Sequence, residues 1–199
     1  MEFLEIIKIL DKNGEVSSIA RRMFVTNAFD SLLTSLGVAA GGYSSNTEPM
    51  VLALGIIGAA IAMGFFSATI GVYLSERAER RRELLRIQAH MAGKLEEDSI
   101  YYKAATYIPI YVSLWSGFGA TLFPILVSIP FLTAGMAGLS VRAAFIVSVI
   151  IGLSIVGILG VYLSRISGEK LLVGFIRFTG IGGTAVMVIL LLKMFFGLI

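Results

Sequence analysis

The chain has 199 residues, 57% of them hydrophobic and only 15% charged, with no cysteine and a formal net charge of +3. Soluble domains run at roughly 45–50% apolar and about 25% charged, so this composition excludes an ordinary soluble domain and points to an integral membrane protein. The lack of cysteine excludes a disulfide framework and a thiolate metal site.

The first stretch, MEFLEIIKILDKNGE, places acids at Glu2 and Glu5 and has no basic start, unlike a secretory signal. Phe3, Leu4, Ile6, Ile7 and Leu10 gather near one helical face, and Asn13-Gly14 is a helix stop. Residues 1–16 are therefore expected to form an amphipathic helix. It lies at the membrane surface or packs on the protein's own cytoplasmic face.

A membrane span needs about 20 mostly apolar residues. Five segments qualify: Met23–Gly42, Val51–Leu74, Thr106–Thr133, Val141–Leu163 and Leu171–Ile199. The predicted fold is all-α and polytopic. Residues 17–74 make a first transmembrane hairpin, 75–105 a charged cytoplasmic helical extension, and 106–199 the third to fifth spans. Pro109, Pro124 and Pro130 predict a bend in the third span. Lys8, Lys12, Arg21 and Arg22 precede the first span. Arg77, Arg80, Arg81, Arg82, Arg86, Lys94 and Lys103 separate the second from the third. Arg165, Lys170 and Arg177 fall around the start of the fifth, leaving only Arg142 and Lys193 toward the other side. Basic loops face the cytoplasm, so the N-terminus is predicted to be cytoplasmic. GVYLS occurs at 71–75 and again at 160–164, each time ending an even-numbered span. Such an echo is what two parallel hairpins would leave, or a chance match of five residues in a biased composition.

The first span carries a polar stripe of Asn27, Asp30, Ser31 and Thr34 at helical spacing. Asp30 lies about 10 Å beyond Met23 at 1.5 Å per residue. It is the only acid well inside any span. A carboxylate at a span's centre costs roughly 2.5 kcal/mol or more, so it needs a neighbouring helix, water, a cation or a proton. In the second span Met63 is a soft thioether that suits a transition metal when paired with a carboxylate, or a gap-filler. Beyond it, Glu76, Glu79, Glu83, His90 and Glu97 fall within roughly 60° of a continuous helix. They form a candidate divalent-metal stripe or, with Arg80 and Arg86 nearby, a solvated paired face. There is no phosphate loop, no paired histidine and no catalytic triad. Neither an enzyme nor a nucleic-acid partner is expected, and the cluster Arg80–Arg82 reads as a topology anchor beside lipid.

Four stretches carry a resemblance: NAFDSLLTSLGVAAGG, GAAIAMGFFSATIGVYLSERAE, GATLFPILVSIPFL and, loosely, GGTAVMVILLL. They resemble the first, second, third and last spans of the vacuolar iron transporter family, which includes yeast vacuolar calcium/iron and plant vacuolar iron transporters. The resemblance implies a five-span homodimer that moves divalent iron or manganese out of the cytosol in exchange for protons, with no tightly bound cofactor. It makes Asp30 and Met63 metal-binding residues of a dimer-interface pathway lined by Asn27, Ser31 and Thr34. Glu76, Glu79 and Glu83 fall where that family's cytoplasmic glutamates begin. Two departures stand out: Ser31 replaces the signature glycine, and Gly55 stands where an acid is often found. The implied membrane is the cytoplasmic one in a prokaryote and a vacuole-like one in a eukaryote. The rival expectation is a non-transporting scaffold or partner-binding subunit with the same fold, in which Asp30 is a structural hydrogen-bond acceptor.

Overall fold

The structure, a computed structural model, describes residues 3–91, 95–96, 98–138 and 140–195, without the side chains of 193 and 194. Glu2, Gly93, Lys94, Glu97, the side chain of Lys193 and the last four residues of the fifth predicted span lie outside the described residues. Every element within them is helical: α1 (Phe3–Leu10), α2 (Glu15–Ser44), α3 (Pro49–Ala60), a π-helical segment (Ile61–Gly71) running on into α4 (Val72–Met91), α5 (Ile100–Ala137), α6 (Val141–Ser167) and α7 (Leu171–Phe195). Among the described residues five helices are long and apolar enough to cross a membrane, with Pro49–Met91 counting as one. The all-α, five-span architecture of an integral membrane protein follows.

The helices overrun the hydropathy spans. α2 begins at Glu15 and not Met23, and α5 at Ile100 and not Thr106. Hydropathy marks the part of a helix that lipid accepts, whereas capping groups decide where its backbone hydrogen bonds stop. The Ser99 hydroxyl accepts the Tyr102 amide at 3.3 Å to open α5, and Ser140 does the same for Ala143 to open α6. Each of these helices closes on a left-handed glycine, Gly138 at φ 66° and Gly168 at φ 74°. Pro109, Pro124 and Pro130 lie inside α5, which runs through all three without interruption.

α5 is the hub. It packs against α1, α2, α3, the π-helical segment, α4 and α6, while α7 leans on α6 and α2. Association in lipid depends on close backbone approach through small residues, and the contacts follow that rule. A Cβ on Gly64 of the π segment would overlap the Thr121 hydroxyl of α5, and one on Gly117 of α5 would overlap Thr69. Gly119 lies beneath Phe24 and Ala28 of α2. The second predicted span was expected to be α-helical throughout. Its π-helical part, 11 residues long, exceeds the usual single π turn. The Thr69 hydroxyl donates to the Gly64 carbonyl, five residues back, at 3.0 Å. The wider turn seats Gly64 and Ala68, both buried, on α5.

α1 buries Ile6 and Ile7 and tilts the Phe3 ring onto Tyr107 with centroids 5.8 Å apart. It packs on α5, while Leu4 and Ile9 stay exposed. Outward-facing Leu54, Phe66, Leu114, Ile150, Ile158 and Leu172 are exposed as well, as a lipid-facing surface requires. The two GVYLS copies serve different packing. Gly71 has nothing within 4 Å of a Cβ position, whereas Gly160 meets the backbone of Gly174 and closes α6 on α7.

The junction of α1 and α2 is held by Asp11. Its carboxylate accepts the Ser17 amide at 3.0 Å and the Ser17 hydroxyl, supplying an acceptor to orphan donors of the first turn of α2. Burial opposes its charge, but the Ser17 hydroxyl, the amides of Ser17 and Val16 and the nearby Arg21 guanidinium outweigh it and hold the carboxyl below the ordinary aspartate value.

Two outcomes follow. Gly160→Ala would place a methyl 2.7 Å from Phe178 Cβ; overpacking of this kind costs about 1–3 kcal/mol, read as a lowered thermal midpoint in detergent, whereas Gly71→Ala, with open space around it, does not lower the midpoint. The Asp11 contribution is complete above pH 3.8, the ordinary value, and is lost as pH falls through the lowered native value. Asp11→Ala speeds hydrogen exchange at the start of α2 by roughly fivefold near neutral pH, the worth of a typical N-terminal cap, and removes this acid dependence.

Candidate functional site

α2 is 30 residues long and Asp30 stands at its middle, about 21 Å from either end at 1.5 Å per residue. Its side chain is exposed on the outside of the protomer. Among the described residues the carboxylate has no hydrogen bond or ion pair; only its backbone carbonyl is engaged, accepting the Thr34 hydroxyl at 2.9 Å. Thr26, one turn earlier, is exposed on the same side. The open strip of α2 lies between two neighbours. Val38 is the side chain nearest a Cβ on Gly55 of α3, and Ile189 of α7 is nearest one on Gly37. Gly41 of α2, Gly58 of α3 and Gly180 and Gly183 of α7 have nothing within 4 Å of their Cβ positions.

The predicted stripe does not act as one face. Asn27 turns to α5, where its amide donates to the Ser116 hydroxyl at 2.8 Å and to the Met23 carbonyl at 3.0 Å. Ser31 is buried and donates to the Ala28 carbonyl at 3.0 Å. Four residues at about 100° each cover a strip wide enough to straddle the edge of the α2–α5 contact. Asn27 and Ser31 fall inside that edge, Asp30 outside it, and Thr34 is half-buried between them. Ser116, fully buried, is the functional partner that the sequence reading missed. Its only signal was a second serine, three residues after Ser113, within an apolar run.

Met63 is half-buried in the π segment beside Gly64, which is pinned to α5. Further along, the mouth glutamates are interleaved with arginine. Arg80, its side chain only 15% exposed, reaches Glu83 at 2.9 Å and Glu15 of α2 at 3.8 Å. Glu83 is thus paired with Arg80, while Glu76 and Glu79 form no ion pair among the described residues. His90 faces the Arg86 carbonyl through Nδ1 at 2.7 Å; a carbonyl only accepts, so Nδ1 carries the proton and Nε2 is left as the ring's acceptor. Among the described residues no three histidine or acidic groups come together as a ligating cluster. A cavity of about 570 Å³ lies at the basic end by Glu96, Asp98 and Lys103, and there Lys103 already pairs with Asp98 at 3.0 Å.

The Asn27–Ser116 bond ties α2 to α5 behind Asp30. A double-mutant cycle with Asn27→Ala and Ser116→Ala, read by unfolding in bicelles, is expected to give a coupling of about 0.6 kcal/mol, the average for hydrogen bonds between membrane helices.

No protein-family model matches the chain. It is similar to the uncharacterized protein MJ0645 of Methanocaldococcus jannaschii, 29% identical over 167 residues that cover 83% of this chain and 82% of the relative.

Proposed function

We propose that two copies of this chain associate through the open face of α2 and its flanks on α3 and α7, and that the enclosed Asp30 carboxylates carry a divalent transition-metal ion, iron or manganese, across the membrane in exchange for protons. The observation that carries this reading is the exposure of Asp30 on α2, seven residues inside the apolar run that starts at Met23. A lone carboxylate facing lipid at that depth is costly, and intramembrane acids face a bundle interior, a water path or a partner. The protomer offers Asp30 no such cover, and open glycines on both sides permit close approach of a second copy.

Two facing carboxylates in low dielectric cannot both remain charged and unpaired. They hold a cation between them or take up protons, because a nearby like charge disfavours ionisation and a nearby cation restores it. That alternation is the basis of antiport. Met63 adds a soft ligand for iron, Thr26 and Thr34 add hydroxyls, and Glu76 and Glu79 raise the local cation concentration at the mouth. Asn27 and Ser31 act as supports and do not bind the ion. The N-terminus and the basic end face the cytosol by the positive-inside rule, and the resemblance to the vacuolar iron transporter family implies that the ion leaves the cytosol. The membrane is the cytoplasmic one in a prokaryote and a vacuole-like one in a eukaryote.

Proteoliposomes loaded with a metal-sensitive dye and a pH dye test this. Asp30→Ala is expected to cut iron and manganese flux and the coupled proton flux together by at least about tenfold, the lower range seen even for groups behind a metal ligand. Glu83→Gln, whose carboxylate is occupied by Arg80, leaves flux near normal. Unchanged flux in Asp30→Ala removes the carboxylate from transport. Loss of the dimer in a chain that never moves metal supports the scaffold reading instead.

A further inference from the structure

A cleft of about 340 Å³ opens between α2, α5 and α6 at the basic end, lined by Ser17, Arg21, Phe24, Tyr111, Trp115 and Tyr162. Its lining is graded along α2. Ser17 and Arg21 precede the apolar run that starts at Met23, and Phe24 stands at its first turn. On the facing helix Tyr111 and Trp115 continue the gradient, with the Trp115 ring edge-on to Phe24 at 6.0 Å. Arg21 has no hydrogen bond or ion pair among the described residues. The charge nearest it in effect is Asp11, whose carboxylate is already held by the amide and hydroxyl of Ser17. Tyr162 and Trp115 are 40% and 45% exposed, the placement of aromatics at headgroup level. A second groove of about 430 Å³ shares Tyr111 and Trp115 as its wall and is otherwise lined by Phe3, Leu4, Leu114 and Phe118.

We infer that this pair of cavities is a binding site for an anionic phospholipid of the leaflet at the basic end. The phosphate sits against Arg21 with the tyrosine hydroxyls beside it, and an acyl chain passes Phe24 and Trp115 into the aromatic groove. A guanidinium with no hydrogen bond or ion pair among the described residues selects negative charge at a headgroup, and the adjoining groove offers mainly apolar and aromatic contact beside it. A soluble anion would satisfy Arg21 and leave the groove empty; an amphiphile with a charged head fills both. Arg21 precedes Asp30 by nine residues of α2, about 13 Å along the helix, and the site does not depend on what Asp30 carries.

Trp115 is the only tryptophan in the chain, so its fluorescence reports this site alone. The protein is reconstituted with brominated-acyl phosphatidylglycerol or brominated-acyl phosphatidylcholine, and quenching of Trp115 is titrated for each. The anionic lipid is expected to associate about fivefold more strongly, the worth of one basic residue at a membrane surface. Arg21→Gln reduces that preference to parity, whereas Arg22→Gln, next door and outside the cleft, preserves it. Equal quenching by the two lipids in the unmodified chain overturns the site without recourse to any variant. So does an Arg22→Gln effect equal to that of Arg21→Gln, which would mean general surface charge. Relief of quenching by millimolar glycerol phosphate would overturn the lipid and identify a free phosphate as the occupant.

Discussion

The fold depends on how closely α2 and the π segment approach α5. Lipid supplies no hydrophobic force between helices, so the bundle is held by backbone proximity and a few buried hydrogen bonds. Gly64 and Gly117 exchange contacts with Thr121 and Thr69, and Gly119 admits Phe24 and Ala28. Asn27 donates across the same seam to Ser116. These contacts fix the rotation of α2. Once Asn27, Ala28 and Ser31 face inward, Asp30 has to face outward. The exposed carboxylate is thus a consequence of packing and not an isolated oddity.

That rotation separates two kinds of polar residue on one helix. The inward group is satisfied within the protomer: Asn27 by Ser116, Ser31 by a carbonyl of its own helix, and Ser148 of α6 by the Val127 carbonyl of α5 at 2.6 Å. The outward group, Thr26 and Asp30, is left for whatever covers the open face. At the basic end the same division recurs. Arg80 is drawn into a bridge between α2 and α4 through Glu15 and Glu83, while Arg21 remains available in its cleft. One end of the molecule therefore combines an arginine drawn into ion pairs, Arg80, with one that has no hydrogen bond or ion pair among the described residues, Arg21.

Much of this was legible in the residues. Five runs of apolar side chains long enough for lipid announce five spans whatever their packing, and a single acid among them identifies Asp30. Other features depend on pairs distant in sequence. The π segment has no local signature in IAMGFFSATIG; it exists because Gly64 meets Thr121 and Thr69 meets Gly117 on another helix. The stripe Asn27–Thr34 was read as one wet face because spacing gives angular width but not where the neighbouring helix ends. The mouth glutamates looked equivalent; the Arg80–Glu83 pair is local to α4 and legible at helical spacing, whereas the reach of Arg80 to Glu15 of α2 is not. The repeat GVYLS is real as letters, but its glycines have opposite surroundings, which five residues of sequence cannot reveal.

The central claim is that the Asp30 face of α2 meets a second copy. The chain has no cysteine, so single substitutions report without background. Thr34→Cys and Gly41→Cys retain Asp30 and flank it on the open strip; Leu114→Cys, exposed on α5, serves as the comparison. A disulfide needs Cα atoms about 4.4–6.8 Å apart. Oxidation in native membranes is predicted to link Thr34→Cys or Gly41→Cys into a covalent dimer and to leave Leu114→Cys monomeric. Dimers from Leu114→Cys alone, with both α2 positions unlinked, would contradict the account.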